Sequence, residues 1–201
     1  MTVDLFDGSQ FLQEWWFMNE KALIAIAIIS IGAIIVGVVF LTFSHQSPPV
    51  DVSGIDLPLF LNSTDLMPQE LRGIEQEKGY TAYATVPHLY GGPGEYLVEH
   101  TTAIFDETTI HILRTAEGSA GEAYEGETLD IFYFNLSSQS ETGVKTRASN
   151  WFLCDFEDLY AFFWGSDNWV FGVVSPTNFE GEDMANSFVQ HLRRQSSSVI
   201  D

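Results

Sequence analysis

The chain carries one cysteine, Cys154, in 201 residues. No intrachain disulfide can form, and neither a disulfide scaffold nor a cysteine-based zinc site fits. Basic residues are also scarce: 8 Lys and Arg stand against 28 Asp and Glu, a formal charge of −20 at pH 7. The lysines are Lys21, Lys78 and Lys145. Such a surface repels phosphate backbones, which argues against nucleic-acid partners. It attracts cations and basic partners, favours solubility, and suits a salty medium that screens its self-repulsion. Familiar motifs are missing too. There is no H-E-x-x-H, C-x-x-C, G-x-S-x-G or Walker lysine loop. Gly91-Gly92-Pro93-Gly94 lacks the following helix and lysine that would cradle a phosphate, so it reads as a turn. Gly118-Ser119-Ala120-Gly121 lacks the spacing of a nucleophile elbow. These absences predict no catalytic residue, no metal site and no cofactor.

What the chain does have is one long apolar run. Ala22 to Phe43 carries no charge. At ~1.5 Å per residue it spans ~33 Å, the thickness of a bilayer core, and predicts a single transmembrane helix. The run is too long for the apolar part of a signal peptide. Acidic residues precede it, and Ser44 to Pro49 offers no small-x-small cleavage site, so an uncleaved anchor is expected. Lys21 is the nearest basic residue on either side, the next being Arg72. By the positive-inside rule the N-terminus faces the cytoplasm and residues after the span lie outside it. The sequons at Asn62 and Asn135 both follow the span and are candidate glycosylation sites. Before the span, Phe11, Leu12, Trp15 and Trp16 share one helical face, as in an interfacial anchor or a docking helix for a membrane partner. Within it, Ser30, Ala33 and Gly37 form a stripe of small residues that permits close helix packing, hence a candidate homodimer contact.

The remainder predicts an α+β fold: an antiparallel sheet packed by one or two helices. The expected divisions are a tail at 1–21, the span at 22–43, a linker at 44–54, a soluble domain at 55–195 and a disordered tail at 196–201. A helix is expected over Leu66 to Lys78, with Pro68 in its first turn and Gly79 past its end. Tyr80–Val86 reads as a strand. Tyr96–Phe105 and Thr109–Thr115 read as a hairpin, Ala116–Glu127 as an acidic loop or short frayed helix, and Leu129–Leu136 as a strand. Trp151–Phe156, Leu159–Trp164 and Trp169–Val174 read as three consecutive antiparallel strands. That register puts Phe152, Cys154, Ala161, Phe163 and Gly172 on one apolar face with small residues at its middle. A helix over Glu180 to Gln195, with Met184, Ala185, Phe188 and Leu192 as its stripe, is expected to cover it. Thr177 and Glu180 have the spacing of a capping box.

The opposite face collects Trp151, Asp155, Tyr160, Trp164 and Trp169. Exposed, it would be a platform for a protein, sugar or apolar ligand; covered by the Leu66–Lys78 helix, it is a second core layer. His100 and His111 share the first hairpin. A turn centred at 107–108 sets His111 opposite Ile104 and His100 opposite Thr115, which keeps the rings apart and predicts structural histidines rather than metal ligands. Asp155, Glu157 and Asp158, and Glu180, Glu182 and Asp183, match no EF-hand spacing. Taken together, these patterns predict a membrane-anchored, extracytoplasmic interaction or sensing domain without catalytic activity. Its partners would be the bilayer and a membrane protein or a second copy. The alternatives are a ligand- or cation-binding domain on the aromatic face and, third, a hydrolase-type enzyme.

Overall fold

The computed structural model describes residues 47–58, 60–89, 95–115 and 122–198. The apolar run at 22–43, with Ser30, Ala33 and Gly37, and the aromatic segment before it lie outside the described residues. Among the described residues no helix is long and apolar enough to cross a membrane.

A two-stranded hairpin, β1 (Glu70–Leu71) and β2 (Ile74–Glu75), precedes a seven-stranded antiparallel sheet. The sheet is built from two meanders. The first is β3 (Lys78–Pro87), β4 (Glu95–Phe105) and β5 (Thr108–Thr115). The second is β6 (Val144–Arg147), β7 (Trp151–Phe156), β8 (Leu159–Ser166) and β9 (Trp169–Ser175). Helix α1 (Glu122–Ser137) connects them and α2 (Asn178–Ser198) ends the described chain. The spatial order is β3-β4-β5-β9-β8-β7-β6, so β5 and β9 meet at the middle and β3 and β6 are the edges. The fold is α+β, as the sequence predicts.

Two-residue turns set the register. Asp106 and Asp167 take φ of 55° and 47° at the β4–β5 and β8–β9 turns. Aspartate tolerates this left-handed conformation because its short side chain bonds locally. Phe152 pairs with Phe163, and Phe163 with Gly172, so β7 to β9 separate their faces as expected. A Cβ at Gly172 would collide with the Phe163 ring. That ring occupies the space above the glycine and stacks on Phe152 and Phe132, with centroids 5.0 and 4.8 Å away.

The helices cover the faces in the opposite sense to the sequence expectation. α2 lies on the aromatic face, where Met184, Ala185, Phe188 and Leu192 pack with Trp164, Phe171 and Val173. The small-residue face is covered by α1, through Leu129 and the partly buried Phe132, Tyr133 and Leu136. The small residues make room for Phe163, not for a close helix. α1 itself corrects the expected strand at Leu129–Leu136. Its aromatic and β-branched content suggests a strand, yet Leu129, Phe132, Tyr133 and Leu136 repeat at helical spacing, and burial of that stripe decides the outcome.

The expected helix over Leu66–Lys78 is absent as well. Those residues form a turn, the β1–β2 hairpin and the start of β3. The hairpin turns at Arg72 and Gly73, with φ of 55° and 79°. A left-handed pair ends any helix there, and glycine adopts the second value without strain. Leu66, Met67 and Leu71 still enter the core, the first two from a turn and Leu71 from β1. The segment read as a linker also contributes, since Val50 is buried in the same cluster. At the other end, α2 continues through Ser198, and Ser196 is buried. Its capping box is formed: the Glu180 amide donates to Thr177 Oγ1 at 3.4 Å, and the two side chains meet at 3.1 Å.

Candidate functional site

Four of the five aromatic-face residues are core. Trp164 and Trp169 are 0% exposed, and Trp151 and Tyr160 are buried beside them. Tyr160 faces the start of α2. Its hydroxyl is held well above the usual phenol range by burial first, then by the charges of Glu182 and Asp155. Asp155 stays half-buried at the rim and accepts a bond from Asn178 Nδ2 at 2.6 Å, tying β7 to the first turn of α2. These residues share one core layer and one helix junction, with no open platform between them.

The carboxylate of Glu99 is buried on the same side and meets Arg114 Nη2 at 3.0 Å. Arg114 also donates to the Leu61 carbonyl at 2.7 Å and stacks over Trp169 at 5.7 Å. This pair fastens the segment before β1 to the sheet.

The two hairpin histidines meet, contrary to the expectation. The turn is Asp106–Glu107, so Phe105 pairs with Thr108, His111 with Thr102 and His100 with Leu113. The rings become diagonal neighbours, stacked at 5.2 Å, with His100 Nε2 3.0 Å from His111 Nδ1. Thr102 Oγ1 lies 3.2 Å from His100 Nε2. Burial, and secondarily the charge of His100, pushes His111 down to about 3; burial also pushes His100 down. At neutral pH both are therefore uncharged, one N–H donating to the other ring. Among the described residues, no three His, Cys, Asp or Glu side chains are placed to hold a metal ion. Cys154 is buried, and burial pushes its thiol up to about 11, against the weaker pull of Lys145. It is a protonated, packed side chain at neutral pH.

A second polar cluster had no signal in the sequence, because the start of α1 read as an acidic loop or short frayed helix with no defined place against the sheet. His88 Nδ1 meets Glu127 Oε2 at 3.0 Å, and the His88 ring packs 5.3 Å from both Tyr96 and Tyr124. Thr128 Oγ1 donates to the Tyr124 carbonyl at 2.7 Å, so the Tyr96 hydroxyl, 3.0 Å away, donates to it. Nearer β8, a cleft of about 570 Å³ is lined by Glu125, Gly126, Ser149, Asn150, Ser166 and Asp167, with Gly165 at its floor. The Glu125 side chain is buried and lies over Gly165.

Both sequon asparagines are exposed. Asn62 bonds to Asp65, and its neighbour Ser63 is buried against Thr101. Asn135 is exposed on α1. The least covered part of the sheet is β3. From Lys78 to Thr85 every residue is exposed, on both faces. Among the described residues its outer edge pairs with nothing.

Compared with models of protein families, with curated proteins and with solved structures, the chain matches none.

Proposed function

We propose that the chain is a membrane-tethered, non-catalytic interaction domain held outside the cytoplasm, and that the edge of its sheet is the surface it presents to a partner. The tether is the apolar run at 22–43 and the orientation follows from Lys21. The observation that carries the reading is β3. An open strand presents a row of unpaired N–H and C=O groups, and folds ordinarily shield it with charge, proline, bulges or a covering element. Here Lys78 and Pro87 stand only at the two ends, Gly79 to Val86 carry neither charge nor proline in a chain of −20, and the strand pairs continuously with β4 from Lys78↔Ile104 to Pro87↔Glu95. A bare edge of this kind recruits another strand by main-chain hydrogen bonding. A photo-crosslinking phenylalanine analogue at position 83, in the full chain in its native membrane, tests this. One discrete protein adduct is expected. No adduct, or a smear over many masses, sinks the reading.

A specific feature favours a second reading, a cation- or ligand-binding domain. Glu125 is a buried carboxylate lining a polar cleft that also holds Asp167, Asn150 and Ser166. Hard cations are bound by such oxygen-rich sites. Calcium or magnesium would raise the melting temperature of the wild type and not of Glu125→Gln. Equal shifts in both discard this site.

A further inference from the structure

We infer that β3 pairs with β3 of a second copy of this chain, antiparallel about a two-fold axis at Tyr83, joining two seven-stranded sheets into one. The inference rests on the reading of the sheet edge as the interaction surface, and it names the partner.

Symmetry limits the register. A two-fold axis perpendicular to the sheet reverses strand direction and leaves each face where it was. Residues placed opposite one another must share a face, and side chains alternate faces along a strand. The axis must therefore pass through a residue and not between two. An axis at Tyr83 sets Ala82 against Ala84, Thr81 against Thr85, Tyr80 against Val86 and Lys78 against His88.

The side chains suit that register. Lys78, Tyr80, Ala82, Ala84 and Val86 lie on the α1 side of the sheet, opposite Ile104, Thr102, His100, Val98 and Tyr96 of β4. Tyr80, 62% exposed, would cover Val86 of the other copy. Lys78 is the one charged residue of β3. It would arrive at His88, whose Nδ1 is already 3.0 Å from the Glu127 carboxylate. The cation of each copy thus meets a carboxylate of the other, twice per dimer. On the opposite face the two Tyr83 rings, each 62% exposed, would meet at the axis, flanked by threonine pairs. Moving the axis to Ala82 sets Lys78 against Val86 and removes the ionic contact. Moving it to Ala84 carries Lys78 past His88.

Charge also selects the partner. Two chains of −20 repel least where facing strands carry no carboxylate, and β3 has none. A strongly basic partner would instead be drawn to the acidic surface elsewhere. Long-range repulsion between the copies remains, so association strengthens as salt screens it.

The test uses the full chain in mild detergent, with mass measured by light scattering over a dilution series. Wild type is expected to dimerise. Tyr83→Lys and Tyr83→Glu each place like charges at the axis and should weaken the dimer at least tenfold. An equimolar mixture of the two should restore it. Circular dichroism and melting of each variant alone report folding, and the rescue cannot come from misfolded chains. Tyr83→Cys gives an independent measure: it should form an intermolecular disulfide, because facing residues lie within reach and the native Cys154 is buried. A wild type that is monomeric at every concentration overturns the inference. So does a dimer indifferent to both charge variants, which would then associate elsewhere. A photo-adduct at position 83 with a different protein, and none with a second copy, defeats this inference and leaves the interaction reading standing.

Discussion

His111 Nδ1 lies 3.0 Å from His100 Nε2, so two imidazoles share one hydrogen bond beneath Phe132 and Phe163. Protonating either adds a charge to an aromatic, poorly solvated site and turns an accepting nitrogen into a donor. Both folded-state pKa values lie below the unfolded value of about 6.5. The unfolded chain therefore takes up protons first as pH falls. The contribution is complete above about pH 6.5 and is lost progressively below it, until His111 also titrates in the folded state at about 3. Melts at pH 7.5 and 5.5 should show wild type losing more stability than His111→Gln, with a limiting slope of about 1.4 kcal/mol per pH unit for His111. Equal losses would refute the assignment.

Gly172 and Gly126 should respond to alanine with opposite signs. At Gly172 the added methyl meets the Phe163 ring and must displace it from its stack, at a cost of about 1–3 kcal/mol. At Gly126, inside α1, nothing lies within 4 Å, and alanine should add up to about 1 kcal/mol of helix propensity. Urea midpoints of the two variants decide it.

Trp164 distinguishes core from platform. Fully buried against Phe162, Phe171 and Phe188, it should cost about 3–5 kcal/mol on truncation to alanine. A cooperative melt at the wild-type midpoint would show that the aromatic layer does not hold the fold.

The ion pairs should rank by burial. Arg114→Ala leaves the Glu99 carboxylate, 2% exposed, without its closest cation, and should cost about 3–5 kcal/mol. Arg72→Ala removes an exposed pair with Asp183 and should cost roughly 0–1 kcal/mol. A comparable loss from both would mean that Glu99 is better solvated than its burial implies.

Strands β7 to β9 were legible because their signals agree, whereas the short edge strand β6 carries too little apolar pattern to be read. Apolar, aromatic-rich runs in β7 to β9 between acidic turns fix which side chains share a face, and the capping box marks α2. The misreadings occurred where signals conflict. In α1, Ile131, Phe132, Tyr133 and Phe134 carry strand propensity on a helical spacing, and only the sheet beneath decides between them. At 66–78 the reverse holds: apolar residues at near-helical intervals are buried by a hairpin that Arg72 and Gly73 turn. The histidine pair was lost to a turn placed one residue late. That error moves the partner of His111 from Thr102 to Ile104, two positions along and on the same face, so the apolar pattern cannot detect it. The His88 and Glu125 clusters depend on where the first turns of α1 pack, and an acidic loop or short frayed helix at 116–127 carries no signal of that place.

The chain enters its domain through the core. Val50 is buried, Arg193 donates to the carbonyls of Asp51 and Ser53 at 3.0 Å, and Ser196 bonds to Asp56. Tension applied at Ser47 is therefore delivered within a few residues to the last turns of α2, some 140 positions away in sequence. No slack stretch near Asp51 can pay out first. Freeing Val50 means breaking the contacts of α2, so mechanical load applied at Ser47 is resisted by the cooperative strength of the whole domain.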